Sequence, residues 1–341
     1  MIPSGKNASS QFAAIKEAAR DLFITQPQIY FASMRGKLSD LPMTNFNIGC
    51  DFAERGAMRD AAMRFRIAVK LDPTFAQAWH NLGVCLMQLG DKDKATEAFY
   101  HTIRLRPNDE EAHYLLATVN PAAVPRDRWP TRMPHNMVTR FFAAAAPYYV
   151  QVESQNQYAG PAVCEQKLLP HLAVKTGLNV IDLGCGVGLA ATAWREKAAS
   201  LVGVDLVPNM VAEARGMVAN NQKLFNEVIE GDLYQPNDIG IAAESADVAL
   251  VCSVTQFLGD LTGLMQGLAK WLKPGGIAAI TVEPASSQAA FGVVPATGRF
   301  GHSAAYLQDI SKTYGFSILL QERVHLYPET TAGIVVIKKG A

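Results

Sequence analysis

A period of 34 residues runs through the first third of the chain and limits what that part can fold into. Setting residues 42–75 against 76–109 brings Ile48 over Leu82, Gly49 over Gly83, Phe52 over Leu86, Gly56 over Gly90, Ala61 over Ala95, Phe65 over Phe99 and Pro73 over Pro107. A repeat of this size holds one supersecondary unit, and stacking buries the apolar face that a single unit leaves open. Each unit reads as a helix, a turn containing Gly, a second helix and a proline stop. Small residues at 49, 61, 83 and 95 let paired helices approach closely. Trp79 stands in the second unit where Asn45 stands in the first. A third unit begins at His113, Leu116 and Ala117 but halts at Asn120-Pro121, so 108–119 reads as a capping helix. Upstream, Phe12, Ile15, Ala19, Leu22 and Phe23 recur at helical spacing and predict a helix over 9–24 that packs on the first repeat.

The remainder follows a different rule. Four prolines within 120–135 (121, 125, 130 and 134) deny helix and strand, and that stretch reads as a linker. Beyond residue 160 strand and helix alternate. Residues 179–183, 201–205, 227–230, 247–252 and 277–282 read as strands, and 189–197, 209–220 and 261–272 as helices. Two late strands, 317–325 and 333–338, close the chain. Repeated strand–helix units imply a mainly parallel sheet covered on both faces, with ligands at the carboxyl ends of its strands.

At the end of the first strand stands Asp182-Leu183-Gly184-Cys185-Gly186-Val187-Gly188. A dinucleotide site wants a third glycine where this chain has Leu189. An acid beside the turn would repel a pyrophosphate, whereas it suits an ammonium or another cation. Asp205 ends the second strand, where a carboxylate accepts from ribose hydroxyls. Asp232, after Gly231, follows the third strand, where it accepts from an adenine amino group. S-adenosylmethionine combines an amino-acid ammonium, a sulfonium, a ribose and an adenine, and so fits the three acids.

These residues carry two resemblances. The 34-residue units at 42–109 resemble tetratricopeptide repeats. Val180 to Gly188, Gly203-Val204-Asp205, Gly231-Asp232 and Leu272-Lys273-Pro274-Gly275-Gly276, in that order, resemble a class I S-adenosylmethionine-dependent methyltransferase, and the last two strands match that family's antiparallel hairpin. The whole is similar to bacterial methyltransferases carrying N-terminal tetratricopeptide repeats. The implied architecture is an all-α repeat domain followed by an α/β, Rossmann-like domain with a mainly parallel seven-stranded sheet. Its expected parts are a helical segment at 1–41, the repeats at 42–119, the linker at 120–135 and the methyltransferase domain with cap helices at 136–341. The implied cofactor is S-adenosyl-L-methionine, with S-adenosyl-L-homocysteine as product. Its expected site is Asp182, Gly184, Cys185, Gly186, Gly188, Asp205, Leu206, Asp232, Leu233 and Cys252.

Methyl transfer from a sulfonium is an in-line displacement, so the protein supplies proximity, alignment and desolvation. Ser253, Glu283 and His302 are the candidate catalytic groups, since a neutral hydroxyl or carboxyl acceptor needs a base. Tyr148, Tyr149 and His302 are the residues expected to line the substrate. The stretch 284–301 reads as a substrate-side lid. Cys252-Ser253-Val254-Thr255 lacks the Asn/Asp-Pro-Pro-Tyr/Phe pattern of enzymes that methylate adenine or glutamine nitrogens.

Composition narrows the partners. Lys plus Arg and Asp plus Glu are 31 each, and no basic, aromatic-interleaved stretch appears, so nucleic acid is not expected. No apolar run approaches a membrane span. Five scattered cysteines (50, 85, 164, 185 and 252) form no C-x-x-C and fit reduced thiols; no metal site is expected. Residues 1–23 carry Glu17 and Asp21 and lack an export core, so the expected location is the cytoplasm. The repeat face formed by Met43, Phe46, Cys50, Ala53, Gln77, His80, Val84 and Met87 is mostly apolar. It reads either as packing on another helix or a second subunit, or as a groove for an apolar partner. Three functions stay open: a methyltransferase acting on a small-molecule or carrier-bound acceptor, a protein methyltransferase recruiting its target through the repeats, and a non-catalytic adaptor.

Overall fold

Repeat geometry follows from which side chains the period superimposes. The computed structural model describes residues 40–285, 289–295 and 297–340, and the helix expected over 9–24 lies outside them. The first unit is helix α1 (Leu41–Glu54) with α2 (Met58–Leu71); the second is α3 (Ala76–Gln88) with α4 (Lys92–Leu105). Both Gly49 and Gly83 lie against a ring: a Cβ there would stand 2.7 Å from Phe65 or Phe99, respectively. Gly56 (φ 75°) and Gly90 (φ 78°) turn the chain through the left-handed region between paired helices. Ala61, Ala95 and Phe99 are fully buried. One design thus occurs twice, 34 residues apart. Helix α5 (Glu110–Val119) begins two residues later than the expected capping helix and crosses the point, between Ala112 and His113, at which the chain divides into two compact units.

The second unit is an α/β layer. Residues 120–135 form two single helical turns and then strap onto this unit: the Thr131 carbonyl accepts from the amides of Gly259 (2.7 Å) and Asp260 (2.8 Å), and Arg132 bridges Leu258. Helices α6 (His135–Ala145), α7 (Tyr149–Gln155) and α8 (Gly160–Leu168) precede the sheet. The strands are β1 (Leu178–Leu183), β2 (Ala198–Asp205), β3 (Val218–Ala219), β4 (Gln222–Lys223), β5 (Glu227–Glu230), β6 (Ala246–Val251), β7 (Leu272–Pro284), β8 (Phe291–Val294), β9 (Arg299–His302), β10 (Phe316–Tyr327) and β11 (Thr330–Lys339). The main sheet runs β10-β11-β7-β6-β1-β2-β5, with β9 beside the end of β7 and β8 beyond it. β1, β2, β5, β6 and β7 are parallel, and β11 pairs antiparallel with both β7 and β10. The seven-strand path matches the expected sheet, and the β8–β9 hairpin occupies part of the stretch read as a lid.

Both faces are covered. Along β1, Leu178 and Val180 join a core with Trp194 and Leu168, while Ile181 and Leu183 join one on the opposite face with Trp271 and Leu268. Such two-sided burial explains why apolar residues stand side by side in the strand, as at Val180-Ile181. Helix α9 (Leu189–Thr192) is shorter than the 189–197 expected. Trp194 drops into the core, and the Arg195 guanidinium donates to the carbonyls of Leu224 and Ala198, turning the chain into β2. Helix α10 (Pro208–Gly216) ends before residue 220 because Asn220 (φ 52°) and Asn221 (φ 60°) form the turn of the β3–β4 hairpin. Helices α11 (Thr262–Trp271) and α12 (Ala304–Thr313) complete the layers. No helix among the described residues is long and apolar enough to cross a membrane.

Candidate active site

From β1 the chain proceeds outward to β2 and β5, then returns to β6 on the other side of β1. That reversal opens a crevice at the carboxyl ends of the strands. A cavity of about 1040 Å³ fills it.

Its floor is the glycine turn. Gly184 and Gly186 have φ of 72° and 54°, and the amides of Gly184 and Cys185 both donate to the Val204 carbonyl, at 2.7 and 2.9 Å. A Cβ on Gly184 would fall 2.3 Å from Val254, so only glycine lets the turn approach that wall. Gly188 (φ 99°) shares the conformation but not the place. It caps α9 against Leu224 and Phe225 and does not line the cavity.

Three carboxylates reach the cavity from three strand ends. Asp182 is 1% exposed, and its Oδ2 is buried without a hydrogen-bond partner. Burial, and next the charge of Asp205, push its pKa up to about 7, against the pull of the Ala191 amide. Asp205 is held by backbone: Oδ1 accepts from the Val207 amide (2.9 Å) and Oδ2 from the Gly186 amide (2.7 Å). Burial raises its pKa, and these amides oppose the rise. Asp232 accepts from the Tyr234 amide through Oδ1 (2.9 Å) and from the Arg132 guanidinium through Oδ2 (2.8 Å). That guanidinium also lies 5.0 Å over the Tyr234 ring. The remaining wall is largely apolar, with Val138, Phe142, Met210 and Phe257 packed around the opening. The arrangement accepts a cation and hydroxyl protons at one side and flat apolar surface at the other. Among the described residues no His, Cys, Asp and Glu side chains gather as a metal site.

Cys185, Leu206, Leu233 and Cys252 also lie on this cavity, as does Tyr149, whose phenol burial pushes well above its ordinary value. Ser253 lies at the end of β6 with φ 58°; its amide donates to Thr281 Oγ1 (2.7 Å). Tyr158 Oη lies 2.7 Å from Ser253 Oγ and 3.0 Å from Cys252 Sγ, and Cys164 Sγ is 3.5 Å from Cys252 Sγ.

Besides Gly188, three expected residues sit elsewhere. Tyr148 is 64% exposed and does not touch the cavity, because the turn at Ala146-Pro147-Tyr148 shifts the helical phase so that Tyr149 points inward instead. His302 is buried: Nε2 reaches the carbonyls of Leu258 (2.9 Å) and Gly259 (3.1 Å), and burial lowers its pKa to about 4. It is a neutral donor holding the 258–259 loop, not a group facing the cavity. Glu283 lines a second cavity, where it accepts from Thr297 Oγ1 (2.8 Å). Conversely, Arg132, Met133 and His135 line the first cavity although they fall in the stretch read as a linker.

A methyltransferase-domain model matches residues 181–280, and a tetratricopeptide-repeat model matches residues 76–109. The chain is 28% identical over 150 residues to a malonyl-[acyl-carrier protein] O-methyltransferase of Enterobacter lignolyticus, covering 44% of this chain and 55% of that one. It is 31% identical over 140 residues to the enzyme of the same name from Salmonella typhimurium, covering 41% and 51%. The chain thus spans about half the length of the curated relatives it matches. The crystal structure of magnesium protoporphyrin IX methyltransferase from Synechocystis PCC 6803 with bound SAH superimposes with a TM-score of 0.47 at 17% identity, over 61% of this chain and all of that one. The chain carries a Rossmann-like class I methyltransferase domain that follows a tetratricopeptide repeat in sequence.

Proposed function

We propose that the protein is an S-adenosylmethionine-dependent methyltransferase acting on a small-molecule or carrier-bound acceptor. The observation that carries this reading is Asp182, a fully buried carboxyl with an unpartnered oxygen at the glycine turn, flanked by Asp205 and Asp232 at the next two strand ends. An orphaned buried acceptor is costly unless something meets it, and a cationic amino-acid group, reached directly or through water, does so. The two amide-held oxygens of Asp205 keep lone pairs for ribose hydroxyls. Asp232 and the Tyr234 side suit the adenine end. When bound, S-adenosylmethionine supplies a methyl group already activated on a sulfonium.

The chain's own contribution is alignment and exclusion of water by Val138, Phe142 and Phe257. The groups around Ser253 are poor bases. Burial holds the Tyr158 phenol, and the contact with Cys252 together with burial holds the Cys164 thiol, in their protonated forms, with pKa values well above the ordinary ones, and His302 does not line the cavity. An acceptor therefore arrives with its nucleophile already formed, as an ionised acid does. The relatives' name, an O-methyltransferase of a carrier-bound malonyl group, supports such an acceptor. The repeats serve as a docking module for a partner, a substrate or a second copy.

Calorimetric titration of wild type and Asp205→Ala with S-adenosylhomocysteine tests the reading. Wild type binds at micromolar Kd, and the variant loses more than about tenfold, roughly 1.4 kcal/mol. A folded wild type that does not bind, or a variant that binds as well, refutes it.

A further inference from the structure

Beside the first cavity lies a second, of about 500 Å³, and Ser253 belongs to the wall of both. Its chemistry is different. Hydroxyls of Thr255, Thr281 and Thr297 and two charged side chains, Glu283 and Arg299, line it. Several of the polar groups there are already engaged. The Thr255 hydroxyl donates to the Thr281 carbonyl (2.7 Å), Thr281 Oγ1 accepts from the Ser253 amide, and Thr297 Oγ1 donates to Glu283 (2.8 Å). The Tyr327 hydroxyl donates to Glu153 at 2.9 Å.

Arg299 is the cationic side chain among the described residues of this wall. It is half-buried at the start of β9, in register with Val294 of β8, and its guanidinium makes no hydrogen bond or ion pair with any described residue. Glu283, the acid of the same wall, is bound by Thr297 instead. A guanidinium presents five donors in a planar fork, and that fork matches a carboxylate. The paired strand fixes the backbone that carries it at the cavity wall.

We infer that the second cavity is the acceptor pocket and that Arg299 holds a carboxylate of the acceptor, which makes the acceptor an organic acid. The inference rests on the methyltransferase reading for what is done to that acid, not for its binding. One guanidinium beside the Glu283 carboxylate suits a singly charged carboxylate better than a dianionic phosphate. The acid enters from the Arg299 side, and its other end reaches Ser253, where the two cavities meet.

The test uses the full chain as wild type, Arg299→Gln and Arg299→Lys. S-adenosylhomocysteine is titrated first, and it binds all three alike because Arg299 does not line the first cavity. With that ligand saturating, glutarate is titrated, followed by dimethyl glutarate and inorganic phosphate. Glutarate binds wild type saturably at millimolar concentration or below, at least about tenfold more weakly to Arg299→Gln, and in between to Arg299→Lys; the diester does not bind. No saturable glutarate binding, equal binding to Arg299→Gln, or diester or phosphate binding as well as glutarate each overturns the inference. If S-adenosylhomocysteine fails to bind wild type, the cofactor reading falls separately, and glutarate titrated into the ligand-free chain still decides Arg299.

Discussion

Replacing Asp182 with Asn stabilises the ligand-free protein while it weakens cofactor binding. The carboxyl is 1% exposed with its Oδ2 unpaired, and its pKa lies near 7 rather than at the ordinary 3.8. The native state therefore keeps a proton that the unfolded chain releases between those values. A group raised in this way supports folding most below pH 3.8, and that support is lost as pH climbs through 7. The loss is about 2 kcal/mol at pH 5 and about 4 kcal/mol at pH 8, as an upper bound. Asparagine cannot ionise, so Asp182→Asn escapes it. His302 works in the opposite direction. Its pKa is depressed from 6.5 to about 4, so its contribution is present above pH 6.5 and is lost as pH falls toward 4. That term occurs in both proteins and cancels in their difference.

The assay is urea unfolding of wild type and Asp182→Asn at intervals from pH 5 to 8. The stability difference moves in favour of the variant by about 2 to 3 kcal/mol across that range. In parallel, the affinity of wild type for S-adenosylmethionine rises about tenfold from pH 6 to 8 as Asp182 ionises, then flattens. The variant binds weakly at every pH. A stability difference that stays constant with pH would falsify the buried, protonated carboxyl, whatever the cofactor data show.

Two further outcomes follow from the same geometry. His302→Leu lowers stability by about 1–3 kcal/mol, since the 258–259 carbonyls lose their buried donor, yet leaves S-adenosylhomocysteine affinity within about twofold by calorimetry; a stable variant that no longer binds places His302 at the ligand after all. Gly83→Ala costs about 1–3 kcal/mol in thermal unfolding because the Phe99 ring must move, more than the about 1 kcal/mol by which Ala favours a helix over Gly; an unchanged or raised Tm removes the close-packing reading of the repeat glycines.

Features set by local chain chemistry are legible in the sequence. The 34-residue period carries its reason with it, because Gly49 and Gly83 must each admit a ring from the following helix. Strands β1 and β6 announce two-sided burial through adjacent apolar residues, Val180-Ile181 and Val248 to Val251, and Asp182, Asp205 and Asp232 stand at strand ends that any parallel sheet brings to one edge. Features set by distant contacts are not. Proline density says that 120–135 avoids regular structure, but nothing local says that Arg132 pairs with Asp232, 100 residues away. Nor does spacing separate Gly186, which lines the cavity, from Gly188, which packs on Leu224 and Phe225 from the β3–β4 hairpin region. Tyr148 and Tyr149 differ only by the phase that the turn at Pro147 imposes. His302 looked reactive because it follows a loop. Its fate was decided by β9 pairing with β7, which carries it toward the 258–259 carbonyls.

The strain of the site lies where β1 and β6 end side by side. Asp182 retains an unpaired oxygen, Gly184 leaves no room for a Cβ beside Val254, and Ser253 holds φ 58° in a region that side chains disfavour. The unpaired oxygen and the left-handed Ser253 each reduce stability, and both sit within the one crevice. A non-glycine residue in the left-handed region costs of order 1 kcal/mol or more and persists only when its surroundings fix it. Here the Thr281 hydroxyl accepts the Ser253 amide, and Tyr158 meets the Ser253 side chain. The strained residue is also the one shared by the two cavities. Relaxing Ser253 to an extended conformation would move the wall between them, so the strain and the meeting point of cofactor and acceptor belong to the same few atoms.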